Sequence, residues 1–297
     1  MKKAFTLIEL LVVIGIIGIL VGVFVAGFGG STESAKNAHC LTNMKNLANA
    51  CHAYGMSSGH YPLAGSVERL SIGEKKLGSK ISKSYNELPG WISWNSANAY
   101  AGGASSHMSS SGWLTSTYSQ DETAREYSYT NGVLWKYVNS SKSVYTCPAH
   151  VNKFKGTPPA WSYVMNSFFG WSNGDKPRDS AYQGRGFGSM KRADRRLLFA
   201  EIPFMEDMQN VKTSASAGTE CDCVLQYKSN DGGEVIGFNH SSGKKSKFAH
   251  VVFADGHTEK ISWPNDGMDE SMQRKLTEWL CEATDFSFDG KTYQEVK

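Results

Sequence analysis

From Leu10 to Phe28 the chain reads LLVVIGIIGILVGVFVAGF: nineteen consecutive residues, fifteen of them apolar, four of them Gly, none charged or polar. As a helix rising ~1.5 Å per residue, such a run is roughly 28 Å long, about the thickness of the hydrocarbon core of a bilayer. A membrane-length helix is therefore expected. Lys2 and Lys3 precede it and, under the positive-inside rule, keep that end in the cytoplasm, which places everything after Gly29 on the outer side. Three readings compete for the segment. A secretory signal peptide would be cut near Val25-Ala26-Gly27, and a plain signal anchor would stay uncut. The third rests on Glu9, a carboxylate at the mouth of the apolar run, where an unpaired charge is costly and calls for a partner.

Whole-chain averages conceal this division. The 297 residues are 40% hydrophobic and 20% charged, with a mean hydropathy of -0.39. These values exclude a polytopic membrane protein, a collagen-like repeat and a wholly disordered chain. Lys plus Arg number 31 against 28 Asp plus Glu, and without Lys2 and Lys3 the excess falls to +1. No clustered basic footprint is present, so no nucleic-acid partner is expected.

The string Lys3-Ala4-Phe5-Thr6-Leu7-Ile8-Glu9-Leu10-Leu11 closely resembles the N-terminus of type IV pilins and type II secretion pseudopilins. The resemblance implies cleavage by a prepilin peptidase between Ala4 and Phe5, N-methylation at Phe5, and Glu9 as the fifth mature residue. Ala4 stands where that family usually carries Gly. Once the leader is gone, Phe5 carries a positive amine in lipid, and Glu9 is a counter-charge for it within the subunit or on a neighbour. Two charges that are each costly in lipid become tolerable as a pair, which favours assembly. Gly18 and Gly22 add a small-xxx-small face on which helices approach closely.

After Gly29-Gly30 a polar helical pattern begins, with Ser31 or Thr32 expected as N-cap. Ala35, Ala38, Leu41, Met44, Leu47, Ala48, Cys51 and Tyr54 recur at three- and four-residue steps, while Lys36, Asn37, Asn43, Lys45 and Asn49 fall elsewhere. The chain is thus read as a leader (1–4), a transmembrane and assembly helix (5–28), an amphipathic continuation (29–58) and a β-rich globular head (59–297). The fold expected is α+β and pilin-like: a long N-terminal helix, apolar first and amphipathic later, packed on a C-terminal antiparallel β-sheet head. Candidate strands are Tyr127 to Thr130, Ser143 to Cys147, Ser162 to Asn166, Arg196 to Glu201, Cys223 to Tyr227, Ala249 to Ala254 and His257 to Ile261. The last two flank Asp255-Gly256 and predict a hairpin with a two-residue turn. Residues 97–120 read as a long loop, and Asp269 to Glu282 as a helix.

Cys40 to Leu47, Tyr61-Pro62, Gly132 to Val138, Thr146-Cys147-Pro148, Ser162 to Asn166 and Phe253 to His257 look like a subfamily of prepilin-like proteins abundant in planctomycete- and verrucomicrobia-type bacteria. Its members carry a His nine residues before a C-terminal Asp-Gly. Here the motif residues are His240, Asp255 and Gly256, with fourteen residues between His240 and Asp255 and four between His250 and Asp255.

Six cysteines in an exported head, Cys40, Cys51, Cys147, Cys221, Cys223 and Cys281, are disulfide candidates. Cys40 and Cys51 lie too far apart along one helix to bond each other. A zinc site from Cys147, His150, Cys221 and Cys223 has suitable ligand types, and structural calcium has candidate ligands in Asp231, Glu234, Asp255 and Asp266, but neither spacing is a standard one, and no cofactor is expected. The chain holds no His-Glu-x-x-His and no Walker loop, and no Gly-x-Ser-x-Gly elbow is expected. His240, His250, His257 and Asp255 are the candidate acid-base cluster, and a hairpin with polar outer residues accounts for them with less. Trp91, Trp94, Trp113, Trp161 and Trp171 suggest either a carbohydrate platform or an aromatic core.

The chain is accordingly expected to be a structural subunit, not an enzyme, of a type IV pilus or type II secretion pseudopilus. It would sit as a single-pass protein in a bacterial inner membrane, with its head in the periplasm or on the cell surface. Its expected partners are prepilin peptidase and other pilin or pseudopilin subunits, as homo- or heteropolymer. The alternative is a minor tip subunit whose Trp-rich head binds a glycan or an exported substrate.

Overall fold

The computed structural model describes residues 6–68, 90–95, 126, 129–130, 132–151, 161–172, 185–203, 224–225, 227, 235–241 and 246–296, with the side chains of 22–31, 65–68, 93–95 and 171–172 outside the description. Helix α1 (Leu7–Ser58) comes first, followed by β1 (Gly65–Glu68), β2 (Ser93–Asn95), α2 (Pro148–Val151), β3 (Tyr163–Asn166), β4 (Trp171–Ser172), β5 (Leu197–Glu201), β6 (Val224–Leu225), β7 (His240–Ser241), β8 (Lys247–Phe253), β9 (Thr258–Ser262), α3 (Glu270–Glu282), β10 (Phe286–Phe288) and β11 (Tyr293–Glu295). The expected α+β arrangement, a long N-terminal helix with an antiparallel-rich sheet behind it, is what these elements build.

Helix α1 runs 52 residues and ends on Gly59 in the left-handed region (φ 79°), whose N–H reaches the carbonyl of Gly55. It passes through Ser31 and Thr32 without a break. A cap is therefore not needed there, because those N–H groups already lie inside the helical ladder. Among the described residues no helix is long and apolar enough to cross a membrane. The end of the Leu10–Phe28 run falls within 22–31, whose side chains lie outside the description.

The buried stripe of α1 begins later than its apolar pattern suggests. Ala35 and Ala38 are exposed, whereas Cys40, Met44, Leu47, Ala48, Cys51 and Tyr54 are buried in the core. Asn43, expected on the polar side, is 3% exposed. Its amide donates to the carbonyls of Ser143 and Thr146, both at 2.9 Å. This explains a second departure: Ser143 to Cys147 is not a strand but a 3-10 turn, Lys142–Tyr145, leading into α2. Its carbonyls bond a helix side chain in place of a sheet neighbour. Tyr129 and Thr130, also expected in a strand, are helical, with Thr130 Oγ1 donating to the Glu126 carbonyl. Asn43→Ala removes two hydrogen bonds made by a buried side chain and should lower stability by about 1–3 kcal/mol, read as a drop in the thermal midpoint of the full chain in detergent.

The main sheet has the order β6-β3-β5-β8-β7, with β9 pairing β8 as well. Both β3 and β5 are buried at every position, as strands covered on two faces must be; α1 and α3 both pack on β5. The predicted hairpin is β8 and β9, in register from Phe248↔Ser262 to Val252↔Thr258. Its turn differs from the expectation. Gly256 donates to the Phe253 carbonyl, Phe253 donates to the His257 carbonyl, and Gly256 has φ 91° while Ala254 and Asp255 keep negative φ. That is a three-residue loop closed by a left-handed Gly; a two-residue type I′ turn would need positive φ at both central residues. The hairpin tip docks on α1 and the segment after it: His52 Nε2 and Tyr61 Oη both lie within hydrogen-bond distance of the Ala254 carbonyl, at 2.8 and 2.9 Å.

The remaining strand expectations resolve simply. Tyr163–Asn166, Leu197–Glu201 and Val224–Leu225 occur as strands within the predicted spans. Residues 97–120 lie outside the described residues. The C-terminal helix is present, its N-cap Asp269 accepting from the Met272 N–H at 2.7 Å.

Candidate functional site

Among the described residues, two places carry chemistry. The first is the start of α1. Thr6 and Glu9 form a capping box: the Thr6 N–H and hydroxyl both donate to Glu9 Oε2, at 2.8 and 2.7 Å, and the Glu9 N–H donates back to Thr6 Oγ1 at 3.4 Å. The Thr-x-x-Glu spacing ahead of an apolar run is a cap signal readable in the sequence, beside the charge argument that singles out Glu9. Beyond it the apolar side chains from Leu7 to Val21 are 46–80% exposed, so no other described part of the chain covers them. Gly18 has open space around it, while Gly22 lies in the stretch whose surroundings are undescribed. Ala4 and Phe5 lie outside the described residues.

The second place is buried where α1 meets the sheet. Strand β5 pairs with the C-terminal half of β8 (Ala200↔Val251), and β7 pairs with its first two residues (His240↔Phe248). The end of β5 and the start of β7 therefore meet along one side of β8, next to His250. This juxtaposition brings Glu201 and His240 together, with His240 Nε2 2.7 Å from Glu201 Oε1. From above, Cys40 of α1 places Sγ 2.8 Å from the same oxygen. Cys147, held between the 3-10 turn and α2, places Sγ 3.7 Å from His240 Nε2. On the other side of the ring, His240 Nδ1 lies 2.6 Å from Asn37 Oδ1. Tyr163 Oη donates to Cys40 Sγ at 3.4 Å.

Burial and charge act against each other here. Burial works to lower the His240 pKa, but the Glu201 carboxylate and the contact with Cys147 outweigh it and hold the imidazole well above its usual range. Burial works to raise that of Glu201, and His240 brings it below the usual carboxylate range. The two thus stand as a buried ion pair. Burial and the neighbouring Cys147 and Glu201 push the Cys40 thiol up. Cys147 goes the other way: burial opposes the shift, and contacts with Cys40 and His240 lower it. His250, whose ring centre is 4.7 Å from that of His240, is driven by burial to a pKa of about 4 and is neutral.

The acid-base cluster expected from His240, His250, His257 and Asp255 is therefore split. His240 and His250 are buried, whereas His257 sits half-buried at the hairpin tip, 2.6 Å from Asp255 and stacked on Phe253. Among the disulfide candidates, Cys40, Cys51, Cys147 and Cys281 are buried thiols, and Cys221 and Cys223 lie outside the described residues. Of the four expected zinc ligands, Cys147 is in the cluster just described and His150 is buried in α2. Asp231 and Glu234 also fall outside the description, and Asp266 lies in the turn before α3. Trp91 and Trp161 are 0% and 1% exposed, so neither belongs to a surface platform. Trp113 is outside the described residues, and Trp94 and Trp171 are described only as backbone of β2 and β4.

Two Gly-x-Ser-x-Gly strings do occur in the chain, contrary to the expectation. The first, Gly55 to Gly59, is the end of α1, and Ser57 Oγ donates to the Tyr54 carbonyl at 2.8 Å. A serine bonded back onto its own helix is not the strained strand-to-helix turn of a nucleophile elbow. The second is centred on Ser172 at the end of β4 and runs out of the described residues.

Comparison with known proteins adds to this geometry at the N-terminus. Residues 1–25 match the prokaryotic N-terminal methylation motif. The chain is also similar to the type II secretion system core protein G of Escherichia coli K12, 36% identical over 61 residues, which is 20% of this chain and 42% of that protein. The chain thus spans less than half the length of this curated relative. No solved structure matches it. Together, motif and relative support a pilin- or pseudopilin-like protein and point to a structural subunit.

Proposed function

We propose that this chain is a structural pilin-like subunit of a type II secretion pseudopilus or type IV pilus. It is processed by prepilin peptidase between Ala4 and Phe5, methylated at Phe5, and assembled through α1 with further pilin or pseudopilin subunits. The observation that carries this reading is the first third of α1: a capped helix whose apolar side chains from Leu7 to Val21 stand 46–80% exposed, with Glu9 at its start. Apolar surface on that scale must be covered by lipid or by the same helix of neighbouring subunits. Both coverings fit a chain held first in the inner membrane and later in a filament, with its head outside. The subfamily reading is supported by the position of His240. Despite its long spacing to Asp255-Gly256, His240 pairs with Phe248 of β8, the strand that leads to that turn.

The alternative of a glycan-binding tip subunit has to rest on Trp94, Trp113 and Trp171, since Trp91 and Trp161 are core. No described contact favours it.

Mass spectrometry of the mature N-terminus tests the proposal. The expected result is a chain beginning at N-methylated Phe5. A chain beginning at Met1, or cut near Gly27, overturns it.

A further inference from the structure

The structure assigns a tetrahedral zinc site to Cys40, Cys147, Glu201 and His240, tying α1 to the head sheet. The ligand atoms of these four residues all lie within 4.8 Å of one another, and all four residues are buried. Thiolate sulfur, imidazole nitrogen and carboxylate oxygen are all ligand types zinc accepts, and four of them are enough to close a tetrahedral site. With bonds of about 2.0–2.3 Å, a tetrahedral zinc spaces its ligand atoms about 3.3–3.8 Å apart. The observed 2.7, 2.8 and 3.7 Å contacts within the cluster are near enough that sub-ångström shifts reach that geometry. Zinc takes the place of the protons that now hold the four atoms together.

The surroundings match as well. The Asn37 carbonyl oxygen accepts from His240 Nδ1 at 2.6 Å, which leaves Nε2 as the atom facing the cluster. A histidine ligand oriented through its second nitrogen is the usual outer-shell arrangement of zinc sites. Tyr163 supports Cys40 in the same way from the sheet side. Glu201 Oε2 is fully buried without a hydrogen-bond partner among the described residues, an expensive state for a carboxylate oxygen that a bound cation relieves.

Three other uses of the cluster fit less well. A bare His240–Glu201 ion pair explains neither the unsatisfied oxygen nor two sulfurs at the same point. A nucleophilic Cys147 with His240 and Asn37 has the right residue types, but every member except Asn37 is fully buried, and Glu201 competes for the nitrogen that would activate the thiol. A Cys40–Cys147 disulfide suits an oxidising compartment, yet leaves Glu201 and His240 without a reason to converge there.

The experiment uses the full chain purified in detergent without chelator. Elemental mass spectrometry is expected to give one zinc per chain. After acid release, the peptides carrying Cys40 and Cys147 should both be alkylated by iodoacetamide. Exchange for cobalt should produce tetrahedral visible bands and a thiolate-to-cobalt charge-transfer band. Asn37→Ala, at a half-buried position, should weaken zinc binding about 10–100-fold while leaving the ligands in place. A Cys40–Cys147 crosslinked peptide, a chain that holds no zinc and takes up no cobalt, or a cobalt spectrum without the thiolate band overturns the site. The cobalt measurement needs no substitution, so it decides the matter even where a ligand variant fails to fold. None of these readouts depends on filament assembly.

Discussion

Glu9→Ala should leave the chain in the membrane fraction and remove it from filaments. Nineteen apolar and Gly residues follow position 9, and losing one carboxylate ahead of them only makes insertion more favourable. Assembly is different. Under the proposed processing, cleavage after Ala4 would leave a positive amine on Phe5, the residue before Thr6 in sequence, and the Thr6 N–H already rests on Glu9 Oε2 at 2.8 Å. The carboxylate is thus held within one residue of the new charge. Without Glu9 an ammonium must enter a filament of packed apolar helices alone, and breaking one side of a desolvated pair costs about 3–5 kcal/mol. Multiplied along a polymer, that is enough to exclude the variant from it.

The capping box supplies the control for this result. Glu9→Ala also removes a helix cap, a loss of about 0.5–2 kcal/mol, so a defect in assembly could arise from fraying alone. Thr6→Ala removes the hydroxyl half of the box and keeps the carboxylate. If Glu9 acts as the counter-charge, Thr6→Ala assembles and Glu9→Ala does not, measured as the fraction of subunit recovered in sheared filaments or crosslinked to neighbours. Equal loss in both variants assigns the residue to the cap. Normal recovery of Glu9→Ala defeats the pairing argument outright.

What the sequence made legible follows from range. Helix α1 could be read from an apolar run and a periodic stripe, and the β8–β9 hairpin from Asp-Gly between two apolar segments, because each signal lies within a few residues of the structure it encodes. Ser143 to Cys147 reads as a strand but is not one, because Val144 and Tyr145 are buried for another reason: the carbonyls of Ser143 and Thr146 are claimed by Asn43, 100 and 103 residues earlier. The buried cluster is harder still. Cys40 lies 161 residues from Glu201, and Glu201 lies 39 from His240, so no spacing motif links them. One local sign was available: Glu201 closes the run Leu197-Leu198-Phe199-Ala200, and a carboxylate at the end of a wholly buried strand needs a partner. Sequence marked Cys40 and Cys147 as disulfide candidates, Cys147 also as a candidate zinc ligand, and His240 through a family resemblance; only the end-to-end meeting of β5 and β7 on β8 makes them one site.

Trp91→Ala should destabilise the head by about 3–5 kcal/mol, the range for emptying a buried aromatic position. Its ring stacks on Tyr145 with centroids 6.0 Å apart and meets Phe199 of β5 edge-on at 4.9 Å. The surrounding backbone leaves little room to collapse into the space. Gly132 approaches so closely that a Cβ there would lie 2.3 Å from the Trp91 carbonyl oxygen, and the Trp91 N–H is fixed on Leu63 at 2.9 Å. A domain with a total stability of about 5–15 kcal/mol loses about a fifth of it or more by such a change. The same variant separates the two uses of the tryptophans. A core role predicts a large fall in the thermal midpoint of the full chain in detergent, with Trp91→Phe recovering much of the loss because a ring still meets Tyr145 and Phe199. A glycan-platform role predicts an unchanged midpoint and a loss of saccharide binding. At 0% exposure Trp91 offers a sugar no face to stack on, so the first outcome is the expected one.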